Sequence, residues 1–295
     1  MTYTVEVPQG AAAPVVPVEA TNLTHALRSE WTKIRTVRST MWTLGIMLGL
    51  VLGINLLMLW AIGASGGMAT YSEPVLSPGL YGLILGQLAV ITLGVLVITS
   101  EYGTGMIRTT FTACPQRTRV LTAKAIVFFG IGFGITTLAC TVTALINWAV
   151  LSGRNVAVAD YYSGSGSVTI SNGVTTAAPT EWLGATVGVG LYVALLGLLA
   201  LAVGTLLRHS AGAITTMLGV VLLPLIVAIF MQAPGLEKVQ EKLLEYSTPV
   251  ALAALYRVQM IGDNNVNGLS QLAMLAVVTA LALAGAYAVL ARRDV

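Results

Sequence analysis

The chain has 295 residues, of which 56% are hydrophobic and only 9% are charged, and its formal net charge is +3. An ordinary soluble domain carries about 25% charged residues, so this composition excludes a water-exposed globular surface, and its apolar richness excludes a disordered chain. Two cysteines and two histidines argue against a disulfide framework, a four-cysteine zinc site or an all-histidine metal centre within one chain. The sequence therefore predicts an integral membrane protein.

The first forty residues divide into a tail and a helix. Residues 1–20 contain prolines but no helical periodicity, and we expect them to be flexible. Residues 21–40 predict an amphipathic, basic helix that lies in the membrane interface, where anionic headgroups attract its cations. The alternative is a juxtamembrane signal that only sets orientation. The residues that define the predicted helix are Leu27, Trp31, Lys33, Ile34, Arg35 and Arg38.

Six stretches are long and apolar enough to cross a bilayer, and none of them contains Asp, Glu, Lys, Arg or His. We therefore predict an all-α integral membrane fold, a six-transmembrane-helix bundle preceded by the interfacial helix. Glycines spaced four apart recur in these stretches and favour close helix packing. The predicted spans are residues 41–62, 80–99, 125–151, 182–207, 211–231 and 271–291, within one membrane domain covering residues 41–295.

Neutral polar side chains inside the spans allow two interpretations. Asn55 and Gln87 could form hydrogen bonds between helices, which is the commoner role of such residues in membrane helices. In the other interpretation they contact a transported substrate. We name them as possible polar residues of a pathway.

The basic residues indicate the orientation of the bundle. With both termini in the cytoplasm, the inner segments hold 11 Lys and Arg residues and the outer segments hold four. The positive-inside rule favours this arrangement. We therefore expect a multi-pass protein of the cell membrane with both termini cytoplasmic.

The inner segment from Glu101 to Lys124 separates the second and third predicted spans. Glycines, including Gly105, break the preceding helix, and a short apolar stripe that includes Phe111 then runs to Pro115. A short helix of this kind can dock into a groove on a soluble partner. The alternative is a positively charged loop without a partner. The basic residues of the segment are Arg108, Arg117, Arg119 and Lys124.

Two outer segments have sequence features that predict local structure. Residues 232–270 predict one or two short helices that dip into or lie on the outer leaflet before the last span. Residues 152–181 are rich in Ser, Gly and Thr and predict an irregular segment or a short β-hairpin lid. We assign no role to the second segment.

Motifs for catalysis or nucleotide binding are missing from the sequence. No H-E-x-x-H or G-x-S-x-G pattern occurs, and no lysine follows a glycine as a Walker A loop requires. The apolar run GIGFG lies inside a predicted span without a strand-turn-helix context. We therefore expect that the chain is not an enzyme and that any energy input comes from another subunit.

Two stretches make the chain resemble the permease subunit of a type-2 ATP-binding-cassette exporter. Residues 29–44, SEWTKIRTVRSTMWTL, are similar to the N-terminal helix of many actinobacterial permeases of this kind. The inner segment resembles the cytoplasmic coupling segment of the family, with the pattern E-x-x-x-G-x-x-R, six residues, then P-x-R-x-R. The pattern is filled by Glu101, Gly105, Arg108, Pro115, Arg117 and Arg119, with Lys124 behind them.

The resemblance implies an exporter permease of the bacterial plasma membrane. Two such six-span chains, identical or paralogous, would form the substrate pathway, and two separate ATPase subunits would dock beneath them. ATP and magnesium would bind those subunits, so this chain itself would bind no cofactor. Its other partner would be membrane lipid, with no nucleic acid. The competing hypotheses are a non-transporting anchor or sensor that recruits a cytoplasmic complex, and a membrane-embedded enzyme, which the charge-free spans argue against.

Overall fold

The computed structural model describes residues 22–65, 73–113, 116–153, 169–171, 174–231, 235–258, 260 and 268–292. The predicted N-terminal tail, residues 1–20, lies outside the described residues. Six long helices have the length and hydropathy to cross a membrane, which confirms a multi-pass, almost entirely helical fold. They are α2 (Arg38–Ala64), α3 (Pro78–Gly103), α5 (Arg117–Leu151), α6 (Pro179–Leu207), α7 (Ser210–Phe230) and α10 (Leu269–Arg292).

Five of the six long helices extend beyond their predicted spans and include charged residues there, and α3 and α5 include residues of the inner segment. Helix α3 continues to Gly103 and includes Glu101, and α5 begins at Arg117 and includes Lys124. The prediction that Lys124 belongs to a loop is therefore wrong, whereas the six predicted spans themselves hold no acidic or basic residue. The early start of α5 is reasonable, because Arg, Leu, Ala and Lys are all good helix formers.

Short helices accompany the long ones at both ends of the bundle. Helix α1 (Leu23–Thr36) precedes α2, and α4 (Met106–Ala113) lies between α3 and α5. Extended backbone at Val37 separates α1 from α2, so Arg38 is the first residue of α2 and not part of the interfacial helix as predicted. Gly105, with φ of 72°, makes the turn into α4 in a conformation that glycine adopts without strain.

Two more short helices, α8 (Glu237–Glu245) and α9 (Thr248–Leu255), lie before the last long helix, as the sequence predicted. All eight residues of α9 are buried, and the helix packs against α3, α6, α7 and α10. Helix α9 therefore does not lie on a membrane surface, which was one of the two predicted arrangements. Its apolar sequence is explained by its position inside the bundle.

A β-hairpin of two short strands departs from the otherwise helical fold. Strands β1 (Thr169–Ser171) and β2 (Val174–Thr176) pair antiparallel, with Ile170 opposite Thr175. The Thr175 hydroxyl donates to the Leu151 carbonyl at 3.0 Å, which fastens the hairpin to the end of α5. The predicted short hairpin is present in this segment, although residues 154–168 and 172–173 lie outside the described part of the chain.

Helix α6 forms the centre of the bundle and packs against α3, α5, α7 and α10. Glycines permit the closest approaches: a Cβ atom on Gly82 of α3 would lie 2.6 Å from the Val51 carbonyl oxygen of α2. By contrast, Gly45, Gly49 and Gly53 of α2 face open space. We call the end of the bundle that carries α1 and α4 the α1 end, and the end that carries the hairpin, α8 and α9 the hairpin end.

Candidate functional site: a buried ion network at the α1 end

Four charged side chains from three helices meet at the α1 end, and we call them the ion network. The Lys124 ammonium of α5 donates to Glu30 Oε2 of α1 at 2.7 Å and to Glu101 Oε1 of α3 at 2.9 Å. The Lys33 ammonium of α1 donates to Glu30 Oε1 at 2.7 Å and to Glu101 Oε1 at 3.0 Å. Each lysine therefore bridges both carboxylates, and the four formal charges cancel.

Local sequence explains how each helix supplies its residue. Glu30 and Lys33 are three positions apart in α1, so both lie on the face that packs against α5. Glu101 is in the last turn of α3, where the apolar run ends. Lys124 is in the early turns of α5, which is antiparallel to α3, so both reach the same end of the bundle.

Three of the four members of the network are nearly sealed from solvent. The Lys124 side chain is 1% exposed, and the side chains of Glu30 and Glu101 are almost as deeply buried. Buried charges of this kind persist only when they are paired, because removing one partner leaves an uncompensated charge in a low-dielectric environment. The network therefore fixes the relative positions of α1, α3 and α5.

Lys33 is the most exposed member of the network. Burial by itself would lower the pKa of its ammonium group, but hydrogen bonds to Glu30 and Glu101 and the negative charges of both outweigh this effect. The pKa of Lys33 is therefore raised above its usual value of 10.5, and the side chain is protonated at neutral pH.

A cavity of about 310 Å³ lies beside the network, between α1, α2 and α3. Glu30, Lys33, Glu101 and Lys124 line it together with apolar residues such as Ile34 and Leu93. Glu101 Oε2 is buried and has no hydrogen-bond partner among the described residues. A hydrogen-bond donor in the cavity, such as water, would satisfy this oxygen.

The α1 end also carries a contact between α3 and the turn that joins α6 to α7. The Arg208 guanidinium lies over the ring of Tyr102, 5.2 Å from its centroid. Arg208 has a left-handed backbone conformation, with φ of 54°, which ends α6 and starts the turn. The end of α3 is thus connected to three neighbours: α1 and α5 through charges, and the α6–α7 turn through this cation–π contact.

The residues of the predicted coupling segment fall in different places. Glu101 and Lys124 belong to the ion network, and Gly105 makes the turn before α4. Arg117 and Arg119 are half-buried in the first turns of α5. Pro115 lies outside the described residues. Arg108 and Phe111 lie on α4, but their side chains are outside the described part of the structure.

Helix α4 itself matches the predicted short helix after the glycine break. Ile107 is buried against the bundle, whereas Met106, Thr109 and Thr112 are exposed. The helix contacts α3 and leaves a mixed apolar and polar face uncovered. A partner could approach that face without disturbing the bundle.

The predicted apolar stripe of α1 is divided between two environments. Ile34 is buried and Leu27 is half-buried, whereas the Trp31 side chain is 51% exposed and Arg35 projects outward. The helix is thus docked through a face that includes the ion pairs, and it keeps its tryptophan and most of its cations outside. An exposed tryptophan beside exposed cations suits a membrane interface.

Asn55 and Gln87, the predicted polar pathway residues, are both buried inside the bundle. The Gln87 amide donates to the Ile84 carbonyl of its own helix at 3.1 Å, and Asn55 has no hydrogen-bond partner among the described residues. Neither residue lies on the open face of α2. Contact with a shared pathway would require α2 and α3 to separate.

Glu30 is the site residue that the sequence analysis missed. It is the one acidic residue among the basic residues of α1, three positions before Lys33. That isolated position was the available signal. The pairing itself joins residues 94 positions apart in the chain, and no local pattern predicts it.

The arrangement can couple the positions of three helices. Within the described ranges, no three His, Cys, Asp or Glu side chains gather where they could hold a metal ion. Every lysine and glutamate of the network is engaged by an opposite charge, so none is set up as a free nucleophile. The network can hold three helices together or release them as a unit.

Comparison with known proteins does not identify a family. No family model matches this sequence, and no curated protein matches it either.

Proposed function

We propose that this chain is the permease subunit of an ATP-driven exporter of the type-2 ATP-binding-cassette kind. The chain would form the membrane pathway, and a separate ATPase subunit would bind ATP and magnesium. The observation that carries the proposal is the buried ion network next to α4. It connects the first helix with two membrane-spanning helices, beside a short helix with an uncovered face.

The network would transmit a push on α4 to the bundle. Separating one of its charges from its partners would cost about 3–5 kcal/mol, which favours movement of α1, α3 and α5 together over independent movement. Helix α4 follows α3 after a single glycine turn and precedes α5 by three residues. A force on α4 would therefore act on both helices that supply Glu101 and Lys124.

The proposal assigns the α1 end to the cytoplasm of a bacterial cell. This end carries the basic residues of α1, the start of α5 and the end of α10, as the positive-inside rule requires for a cytoplasmic face. Single cysteines at Ser72, Ser165 and Asn264 should then react with an impermeant thiol reagent added outside intact cells. Reaction only after permeabilisation would reverse the assignment.

A second copy of the chain, or a close paralogue, would complete the pathway. Most of α2 is uncovered: Trp42 is 73% exposed, and Gly45, Gly49 and Gly53 have no neighbour within 4 Å of a Cβ position. Small residues on an open face allow another helix to approach closely. Cysteines introduced along residues 50–60 should crosslink two chains through one helical face, and a fully active monomer in nanodiscs would contradict this part.

The decisive experiment measures assembly with an ATPase. Where a reading frame adjacent to its gene encodes an ATPase with Walker A and signature motifs, the two chains are co-expressed, and the complex is purified and assayed for ATP hydrolysis. Met106→Asp, on the exposed face of α4, should reach the membrane but lose the ATPase, because a charge would enter an apolar contact at a cost of about 2–5 kcal/mol.

A matched control places the same charge on another helix at the same end. Thr24 of α1 is exposed, so Thr24→Asp should leave the complex intact. Unchanged ATPase binding by Met106→Asp would remove α4 from the mechanism. Recruitment of a cytoplasmic complex without ATP-dependent transport would favour the anchor or sensor alternative.

A further inference from the structure

A second cavity, at the hairpin end, has no role in the proposed coupling. Its volume is about 470 Å³, within the range of about 300–1,000 Å³ typical of small-molecule sites. Helices α6, α7 and α10 form its walls, and α8 borders it. Most of the wall is apolar, including Leu196 and Leu199 of α6, Val220 of α7 and Leu275 of α10.

One buried polar group in this cavity lacks a partner. Gln271 of α10 is 3% exposed, and its Oε1 accepts a hydrogen bond from the Ser270 hydroxyl at 2.9 Å. Its Nε2 is buried and has no hydrogen-bond partner among the described residues. Two other buried polar side chains of the wall, Tyr192 and Thr248, are hydrogen-bonded to each other. Gln271 therefore offers a donor that a ligand oxygen could satisfy.

A lysine at the border of the cavity is paired with a nearby glutamate. Lys242 of α8 also borders the cavity, and its ammonium donates to Glu245 Oε2 at 2.6 Å. Both groups belong to a surface pair, which is held weakly and can exchange partners. A headgroup with one anionic and one cationic group would complement this pair.

The cavity opens toward the surface expected to face lipid. Three of its lining residues, Val220, Met274 and Val278, are exposed and apolar, and they belong to α7 and α10, both of which can span a membrane. A hydrocarbon chain could enter along these residues without crossing water. This opening favours an occupant that comes from the bilayer over one that comes from solution.

We infer that the cavity binds one zwitterionic membrane phospholipid. An acyl chain lies along the apolar wall, an ester or phosphate oxygen accepts a hydrogen bond from Gln271 Nε2, and the headgroup meets the Lys242–Glu245 pair. The inference does not depend on an ATPase partner. It concerns residues of this chain alone.

Native mass spectrometry of the full-length protein in detergent, titrated with a phosphatidylethanolamine of defined chains, tests the inference. The wild type should bind one lipid per chain saturably. Gln271→Leu should weaken binding by roughly fivefold to tenfold, the effect of losing one hydrogen bond. Asn147→Leu removes a buried amide in α5 that does not line this cavity, and it should bind like the wild type.

Two further measurements distinguish binding in this cavity from nonspecific adhesion of lipid to the protein. Val278→Trp should reduce binding by filling the mouth, and a diacylglycerol with the same chains should bind more weakly because it lacks the headgroup. Thermal unfolding of each variant establishes that it is folded. Equal binding by wild type, Gln271→Leu and Val278→Trp, non-saturable binding or occupancy by detergent alone would overturn the inference.

Discussion

The two ends of the bundle are held together by different interactions. At the α1 end, Lys124 pairs with Glu30 and Glu101, which are distant in sequence and nearly sealed from solvent, and the more exposed Lys33 bridges the same two carboxylates. At the hairpin end, α9 fits among five helices through apolar side chains. A charge network has a few discrete arrangements, whereas an apolar contact depends on close fit. The α1 end is therefore sensitive to the loss of one charge, and the hairpin end is sensitive to a change in side-chain shape.

The comparison predicts that removing one charge is costly at the α1 end and harmless at the hairpin end. Lys124→Met leaves Glu30 and Glu101 without their buried partner and should lower the free energy of unfolding by about 3–5 kcal/mol. Thermal unfolding in detergent measures the effect. Lys242→Met removes an exposed lysine of the hairpin end and should cause no measurable change. Equal losses in both variants would remove the distinction between the ends.

Close fit at the hairpin end can be tested with one methyl group. A Cβ atom on Gly184 of α6 would lie 2.6 Å from the Leu255 carbonyl oxygen of α9. Gly184→Ala should therefore push the backbones of α6 and α9 apart and lower the free energy of unfolding by about 1–3 kcal/mol. Thermal unfolding measures this effect. Gly219 of α7 has open space around it, so Gly219→Ala should be neutral or slightly stabilising. A stable Gly184→Ala variant would show that α9 is loosely held.

The smallest expected effect is the change with pH in the stability that Lys33 contributes. A lysine with a raised pKa contributes stability that is fully present below its unfolded pKa and is lost as pH rises through the folded pKa. For Lys33 that loss begins above its usual value of 10.5. The difference in unfolding temperature between wild type and Lys33→Met should thus stay constant from about pH 6 to about pH 9. A difference that declines within this range would mean that Lys33 is not held by the two glutamates.

The helices themselves followed from local sequence, with small errors at their ends. Hydropathy located six spans, because a spanning backbone must satisfy its own hydrogen bonds and therefore needs long apolar helices. The errors fell where charges adjoin apolar runs. Residues 117–124 look like a loop by hydropathy, but they continue α5 because their charges are paired or lie at the surface.

Only some residues of the candidate site could be predicted from the sequence. Glu101 and Lys124 were named from their pattern in the inner segment, but as members of a docking loop and not as a buried pair. Glu30 was missed because its importance comes from a contact across the fold. Asn55 and Gln87 were named as possible pathway residues because they are polar. Their polarity did not reveal that both side chains are buried inside the bundle.

By itself the sequence determined that this is a multi-pass helical protein, with short helices before its last span and basic residues concentrated at one end. Composition and periodicity decide these features locally, since each helix must match the thickness of a bilayer and each charge must avoid it. Only the tertiary structure decided which charges meet, that α9 is buried and that Gln271 Nε2 has no hydrogen-bond partner among the described residues. Such contacts join residues far apart in the chain, and their formation depends on how the helices pack.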